Sequence, residues 1–195
     1  NHPGVEAIVD GFEMHVPGSD IDVTGVHRFN FGDTDFRNTL LKIKQEDPDY
    51  IFLAAIAPEL DLIVKQMNEL ELDAEVTSIE MFEYTETPEM FEGKWYVQAA
   101  DATGTFNEKY RAMYEEVAKP GAGNAYDCAN MIVDAYEELG ARSGEKPTTA
   151  QVAAKLTTID NYAGAMGMLS INDQGIVHST AVVKQVRNGE FVTVN

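Results

Sequence analysis

Basic residues are scarce in this chain. Across 195 residues, 14 Lys and Arg stand against 33 Asp and Glu, a formal charge of −19. No cluster of Lys and Arg is present to neutralise phosphates, which excludes a nucleic-acid partner and argues equally against an anionic membrane surface. The charge reads as a solubilising surface. Cysteine is nearly absent. Cys128 has no second cysteine to pair with, and Ala125, Cys128, Ile132 and Tyr136 recur at helical spacing, so it reads as a small buried hydrophobe. No apolar run is long enough for a membrane-spanning helix, and no secretory or lipid-attachment signal appears.

Catalytic and nucleotide motifs are also missing. The chain has no G-x-x-x-x-G-K-[ST], no G-x-G-x-x-G after a strand and no G-x-S-x-G elbow. His2, His15, His27 and His178 are scattered without ligand spacing and read as surface or cap residues, and no metal or cofactor is expected. "GDTDF" and "NDQG" lack the spaced oxygens and closing Glu of a calcium loop. Asp33-Thr34-Asp35 reads instead as a helix cap with first-turn negative charge. A phosphoacceptor domain would need an Asp at a central strand tip, where this chain has Ala54-Ala55-Ile56-Ala57.

What is present is an alternation of periods. Pro3, Val5, Ile8, Phe12 and Val16 mark a first helix, and "DIDVTGVHRF" (20–29) follows as a strand. Phe36, Leu40 and Ile43 mark a second helix, stopped at Asp47-Pro48. "YIFLAAI" (50–56) reads as a strand covered on both faces, as in parallel sheets. Leu60, Ile63, Val64, Met67 and Leu70 define the clearest helix, with Pro58, Glu59 and Asp61 in its first turn. "AEVTSI" and "KWYVQAA" are further strands. Thr105 and Glu108 pair as a capping box for a helix that turns Phe106, Tyr110, Met113 and Val117 inward. The order α-β-α-β-α-β-β-α predicts an α/β fold with a doubly wound, mostly parallel sheet. Beyond it, "NAYDCANMIVDAYEELG" is a helix stopped by Gly140, and Thr148 with Gln151 caps a shorter one. Short strands then turn at Asn172-Asp173-Gln174-Gly175, and Asn188-Gly189 closes a hairpin.

Several stretches in this order carry a family resemblance. They are Gly32 with Thr34-Asp35-Phe36, "LLKIKQEDPDYIFLAA", "APELDLIVKQMNELEL", "FEGKWYVQAA", "FNEKYRAMYEE", "NAYDCANMIVDAYEELG", "YAGAMGMLSINDQG" and "VVKQVRNGEFVTV". Together the chain resembles the C-terminal half of type I periplasmic substrate-binding proteins of ABC transporters, of the branched-chain amino-acid-binding (Leu/Ile/Val-binding) family. The resemblance implies two lobes joined by crossovers, with a small molecule held between them and delivered to a membrane permease. It places residues 1–118 and 179–195 in the second lobe. It returns 119–178, mainly helices, to a first lobe whose N-terminal half is absent. The second lobe's opening strand is absent too, which implies a fragment of a larger binding protein, or a chain that self-associates with another copy.

The implied protein is not an enzyme. It is an extracytoplasmic solute-binding protein, periplasmic or extracellular, and membrane-tethered as a lipoprotein in its intact form. The alternative on the same fold is a sensory or regulatory ligand-binding domain of a receptor or transcription regulator. In open parallel sheets the ligand lies beyond the carboxyl ends of the strands. Here those tips are Ala55-Ile56-Ala57 and Glu80-Met81-Phe82, with Tyr84 close behind. In amino-acid-binding relatives the second tip carries a carboxylate for the ligand's ammonium group, and Glu80 falls at that position. The first tip departs from the family, because Ile56 flanked by alanines stands where relatives often present an aromatic or hydroxyl group. A less polar ligand, an aromatic acid or amide, is therefore also expected, with Met81, Phe82 and Tyr84 forming an apolar wall. Tyr126, beside Cys128, reads as structural.

Overall fold

The computed structural model describes residues 3–194. Its elements in chain order are α1 (Pro3–His15), α2 (Arg37–Glu46), β1 (Tyr50–Phe52), α3 (Glu59–Glu69), β2 (Glu75–Ile79), β3 (Trp95–Ala99), α4 (Gly104–Tyr114), α5 (Ala122–Ser143), α6 (Thr149–Leu156), β4 (Tyr162–Gly164), β5 (Gly167–Ile171), β6 (Val177–His178), β7 (Ala181–Arg187) and β8 (Glu190–Thr193). Two short 3-10 helices, Glu80–Tyr84 and Pro88–Phe91, lie between β2 and β3. This is the expected α/β architecture. None of the described helices is long and apolar enough to cross a membrane.

The chain divides into two compact units. The first comprises Asn1–Gln98 and Val183–Asn195, the second Ala99–Val182. A five-stranded sheet runs β1-β2-β3-β7-β8, with β1, β2 and β3 parallel and β7–β8 an antiparallel hairpin. Asn188 and Gly189 both take positive φ in the hairpin turn (54° and 73°), the conformation that an Asn-Gly pair accepts at little cost. The core of this unit lies where α2, α3 and the 80–91 segment meet the sheet. Leu60, Val64, Phe82, Phe91, Tyr96 and Val186 are at most 1% exposed. The apolar spacing of α3 accounts for that face: Leu60, Ile63, Val64 and Met67 are buried together.

In the second unit, α4, α5 and α6 accompany a β4-β5-β6 antiparallel meander. Its central polar contact is Asp127 on α5, 1% exposed, whose Oδ1 accepts from Ala165 N (2.6 Å) and Oδ2 from Met166 N (2.8 Å). A Cβ added at Gly164 would stand 2.5 Å from the same carboxylate, so only glycine allows this approach. α6 carries the expected capping box, Thr148 accepting from Gln151 N and Gln151 Oε1 accepting from Thr148 N.

The structure corrects the sequence reading in several places. Residues 20–29 form no strand. Ile21, Val23 and Val26 are 40–54% exposed, and the segment is held by side chains instead: Arg28 Nη2 donates to Glu6 (3.1 Å), and His27 lies 3.0 Å from Glu46. β-propensity is a context-dependent preference for a half-buried surface, and the apolar residues of this run are not buried. Asp33 does not cap α2. It accepts from Asn30 N (2.8 Å); Asp35 Oδ1 accepts from Arg37 N, the first residue of the helix (3.2 Å), and the Phe36 N–H before it donates to Gln66 Oε1 (2.7 Å), a side chain from α3. The cap of α4 is Thr103, two residues before the Thr105/Glu108 pair, and Met113 and Val117 are 72% and 67% exposed. α5 runs past Gly140 to Gly144, which takes positive φ (69°) as its C-cap.

The face of α5 is also rotated. Gly123, Asp127, Met131 and Ala135 are buried, whereas Ala125, Cys128, Ile132 and Tyr136 are exposed. The inward face is the one that carries Asp127, whose carboxylate fastens two backbone amides, while Cys128 and Ile132 of the other stripe line an open groove. Replacing Asp127 by Asn leaves one backbone donor facing a second donor. Asp127→Asn is therefore expected to cost about 1–3 kcal/mol in urea unfolding, and Gly164→Ala is expected to destabilise as well. Unchanged midpoints in both variants would contradict this account.

Candidate functional site

The site is built from the carboxyl ends of β1 and β2. Their parallel register pairs Phe52 with Thr77, and it continues past the strands. Leu53 N donates to Thr77 O (2.9 Å) and the buried Ser78 hydroxyl donates to Leu53 O (2.7 Å). β2 continues to Ile79, and the two segments then part. From the first tip the chain passes a cis Ala57–Pro58 bond directly into α3. From the second it enters the Glu80–Tyr84 turn.

Two contacts fix these tips to each other and to the rest of the unit. Asp61, in the first turn of α3, accepts from the Thr85 hydroxyl and from Glu86 N (3.0 Å), so the exit of the 80–84 turn is tied to the helix that follows the first tip. Glu59, 2% exposed, accepts from Gly32 N through Oε1 (2.6 Å) and brings the 30–33 turn against the same helix end. Sequence reasoning placed both carboxylates as first-turn charge favoured by the helix dipole. Their tertiary partners, 24 to 27 residues away, leave no local signal.

The predicted site residues divide into an inward and an outward set. Ala55 (4%) and Phe82 (0%) are buried, and the Phe82 ring packs on Phe91 (4.8 Å) and Tyr96 (5.4 Å), so it faces the core and supports the turn from beneath. Ile56 and Tyr84 are each 42% exposed, Glu80 is exposed, and Ala57 and Met81 are half-buried. Partial burial first, then the Glu80 and Glu83 carboxylates, push the Tyr84 phenol above its ordinary value of 10.0. Glu80 and Tyr84 thus stand at the two ends of one short turn, a carboxylate whose charge is felt by the phenol. Such a pair accepts from an ammonium group and presents a hydroxyl to a polar neighbour.

No three His, Cys, Asp or Glu converge as metal ligands among the described residues. His15 and His178 contact only local partners (Gly11 O, 2.8 Å; Asn172 Nδ2, 3.3 Å), and His2 lies outside the described residues. In the second unit an open groove of about 640 Å³ is lined by Met131, Ile132, Leu156, Leu169, Ile171 and Val177. Tyr126, 52% exposed, meets Phe106 at a tilt (5.4 Å between ring centres, 56° between planes).

A sequence model of the family described as "Periplasmic binding protein" matches residues 1–190. The chain belongs to the periplasmic binding protein family. Solved structures with the same fold include leucine-binding protein LivK from Thermotoga maritima, at 24% identity and a TM-score of 0.71, over 86% of this chain and 49% of that one. The branched-chain amino-acid substrate-binding protein LivJ of Streptococcus pneumoniae, solved with isoleucine, is 22% identical with a TM-score of 0.71, over 97% and 56%. An ABC-transporter solute-binding protein from R. palustris, solved with benzoate, is 14% identical with a TM-score of 0.75, over 97% and 54%. This periplasmic binding protein chain thus spans about half the length of these relatives. No curated protein sequence matches it.

The Tyr84 shift makes a checkable statement. A phenol whose folded-state value is raised stabilises the fold fully below its unfolded value of 10.0, and that contribution is lost as pH rises through the folded value. Glu80→Gln removes one carboxylate that opposes ionisation. Ultraviolet titration of the phenolate, with Tyr84→Phe as the blank, is expected to show Tyr84 ionising at lower pH in Glu80→Gln. An unmoved titration would separate the two side chains.

Proposed function

We propose that this chain is the ligand-receiving part of an extracytoplasmic solute-binding protein. It captures a small amine-bearing acid, an amino acid or close relative, for uptake by an ABC-transporter permease. The observation that carries the reading is the exposed Glu80 beside Tyr84 at the tip of a central parallel strand, on a fold shared with leucine- and isoleucine-binding proteins. Glu80 takes the ligand's ammonium group in a charge-assisted hydrogen bond, and Tyr84 borders the same position. Ile56 and Met81 supply apolar surface across the two tips, supported from within by Ala55 and Phe82.

In this reading the first unit, 1–98 and 183–195, serves the second lobe, and the second unit, 99–182, serves the first. Residues 99–118, which include α4, and 179–182 thus pass from the second lobe, where the resemblance puts them, to the first. The apolar groove of the second unit is the face along which the first lobe is completed. Binding closes the two lobes over the solute, with the closed state favoured by the contacts that only it makes. The chemistry is capture and release, without a bond made or broken. The protein works outside the cytoplasm, free in the periplasm or tethered as a lipoprotein.

The exposed Ile56 supports a second reading, an aromatic acid or amide, which the benzoate-bound relative makes concrete for this fold. Calorimetry on the protein carrying this chain decides between them. Glu80→Ala is expected to weaken an amine-bearing ligand at least about tenfold, ~1.4 kcal/mol, and to leave benzoate unaffected. Equal affinity of Glu80→Ala and wild type for every amino acid that binds would remove Glu80 from the site. The isolated 195-residue chain is expected to bind weakly or not at all, and tight binding by it would overturn the two-lobe reading.

A further inference from the structure

One carboxylate of the 80–84 turn faces inward. Glu83 Oε1 accepts from Lys184 Nζ (2.7 Å) and from the Tyr96 hydroxyl (2.7 Å). The Lys184 and Glu83 side chains are 6% and 14% exposed, and Tyr96 is 0% exposed. The three residues come from three parts of the first unit: the turn, β3 and β7, with Lys184 lying 101 residues from Glu83. β3 and β7 have a further property. The chain leaves the first unit after Gln98, two residues beyond Tyr96, and re-enters it at Val183, one residue before Lys184.

We infer that Glu83, Lys184 and Tyr96 are positioning residues that hold the ligand-receiving 80–84 turn to the two strands through which the chain passes between its units. The inference rests on the proposed role of Glu80 and adds to it the way Glu80 is held. Glu83 is three residues from Glu80 and adjacent to Tyr84, so its side chain sets the rotation of the single 3-10 turn that carries both. Glu83 is held by an ammonium and a phenol, while Glu80 and Tyr84 at the two ends of the turn are exposed. Without Lys184, the Glu83 carboxylate has lost its countercharge in a nearly dry position. The turn then relieves that by rotating Glu83 toward water and displacing Glu80 with it. Any shift of β3 or β7 near the crossovers acts directly on Glu83, which links the turn that carries the ligand-receiving Glu80 to the connecting strands through two hydrogen bonds.

The test needs no ligand. In Lys184→Met and Glu83→Gln, amide hydrogen exchange in the peptide covering 80–87 is expected to accelerate by about tenfold or more, while the α3 peptide stays near the wild-type rate. In Lys184→Met, Tyr84 loses its partial burial and its phenol is expected to return toward the ordinary value. Lys184→Arg is expected to restore both readouts, which general loss of stability would not explain. Tyr96→Phe, which keeps the ring and removes only one hydrogen bond, supplies a folded variant if the others do not fold, and is expected to show a smaller acceleration in 80–87. Exchange in 80–87 at the wild-type rate, together with an unmoved Tyr84 titration, in any of these variants that folds would overturn the inference. Loss of amine binding by Glu80→Ala is read separately, so failure of the Glu80 role and failure of the positioning role are distinguishable.

Discussion

The candidate site depends on one constraint: the loop after β2 is pulled down at its middle. Phe82 fills the core between Phe91 and Tyr96, and Glu83 next to it is held by Lys184 and Tyr96. A buried carboxylate that loses its partner costs about 3–5 kcal/mol, and emptying a phenylalanine site costs a similar amount. Both costs oppose any rotation of the turn that would bring Glu83 or Phe82 out of place. Its outer residues, Glu80, Met81 and Tyr84, are then presented beyond the strand ends by default. The second anchor, Asp61 to Thr85 and Glu86, fixes where the turn ends.

This arrangement separates support from recognition within five consecutive residues. Along EMFEY the adjacent Phe82 and Glu83 are engaged by the core while Glu80 and Tyr84 at the two ends are exposed, so no single apolar or acidic stripe describes the site. The same logic holds at the first tip. Ala55 is buried and Ile56 exposed, while Glu59, one turn into α3, is committed to the backbone of Gly32. Of the five carboxylates around the two tips, Glu59, Asp61 and Glu83 are engaged by the protein itself. Glu80 is thereby left as the outward charge beside the Tyr84 phenol, with Glu86 further along the loop.

Much of the fold was legible from the residues alone. The 3.6-residue period of α3, the Thr148–Gln151 capping box and the Asn188-Gly189 turn are all local signals, and each element formed where its signal lay. Of the apolar run 50–56 only Tyr50–Phe52 is strand, at the end of the sheet with Tyr50 exposed rather than covered on both faces. The errors share a cause. Residues 20–29 have the composition of a strand, but their apolar residues are not buried. α5 has two faces of comparable apolarity, and the inward one carries Asp127, whose backbone donors lie almost forty residues away. The start of α2 is completed by Gln66 from another helix. Within the site, the positions of Glu80 and Tyr84 followed from the strand-tip rule. The inward roles of Phe82 and Glu83 depend on Tyr96 and Lys184, and no spacing in the sequence points to them.

The central claim is that Glu80 takes an ammonium group. Native mass spectrometry of the protein as purified, with and without Glu80→Gln, addresses it without prior choice of ligand. The account predicts that the wild type carries a small amine-bearing molecule, released on denaturation, and that Glu80→Gln purified in the same way does not retain it. A released molecule with no amino group, or the same molecule held equally by Glu80→Gln, would contradict it.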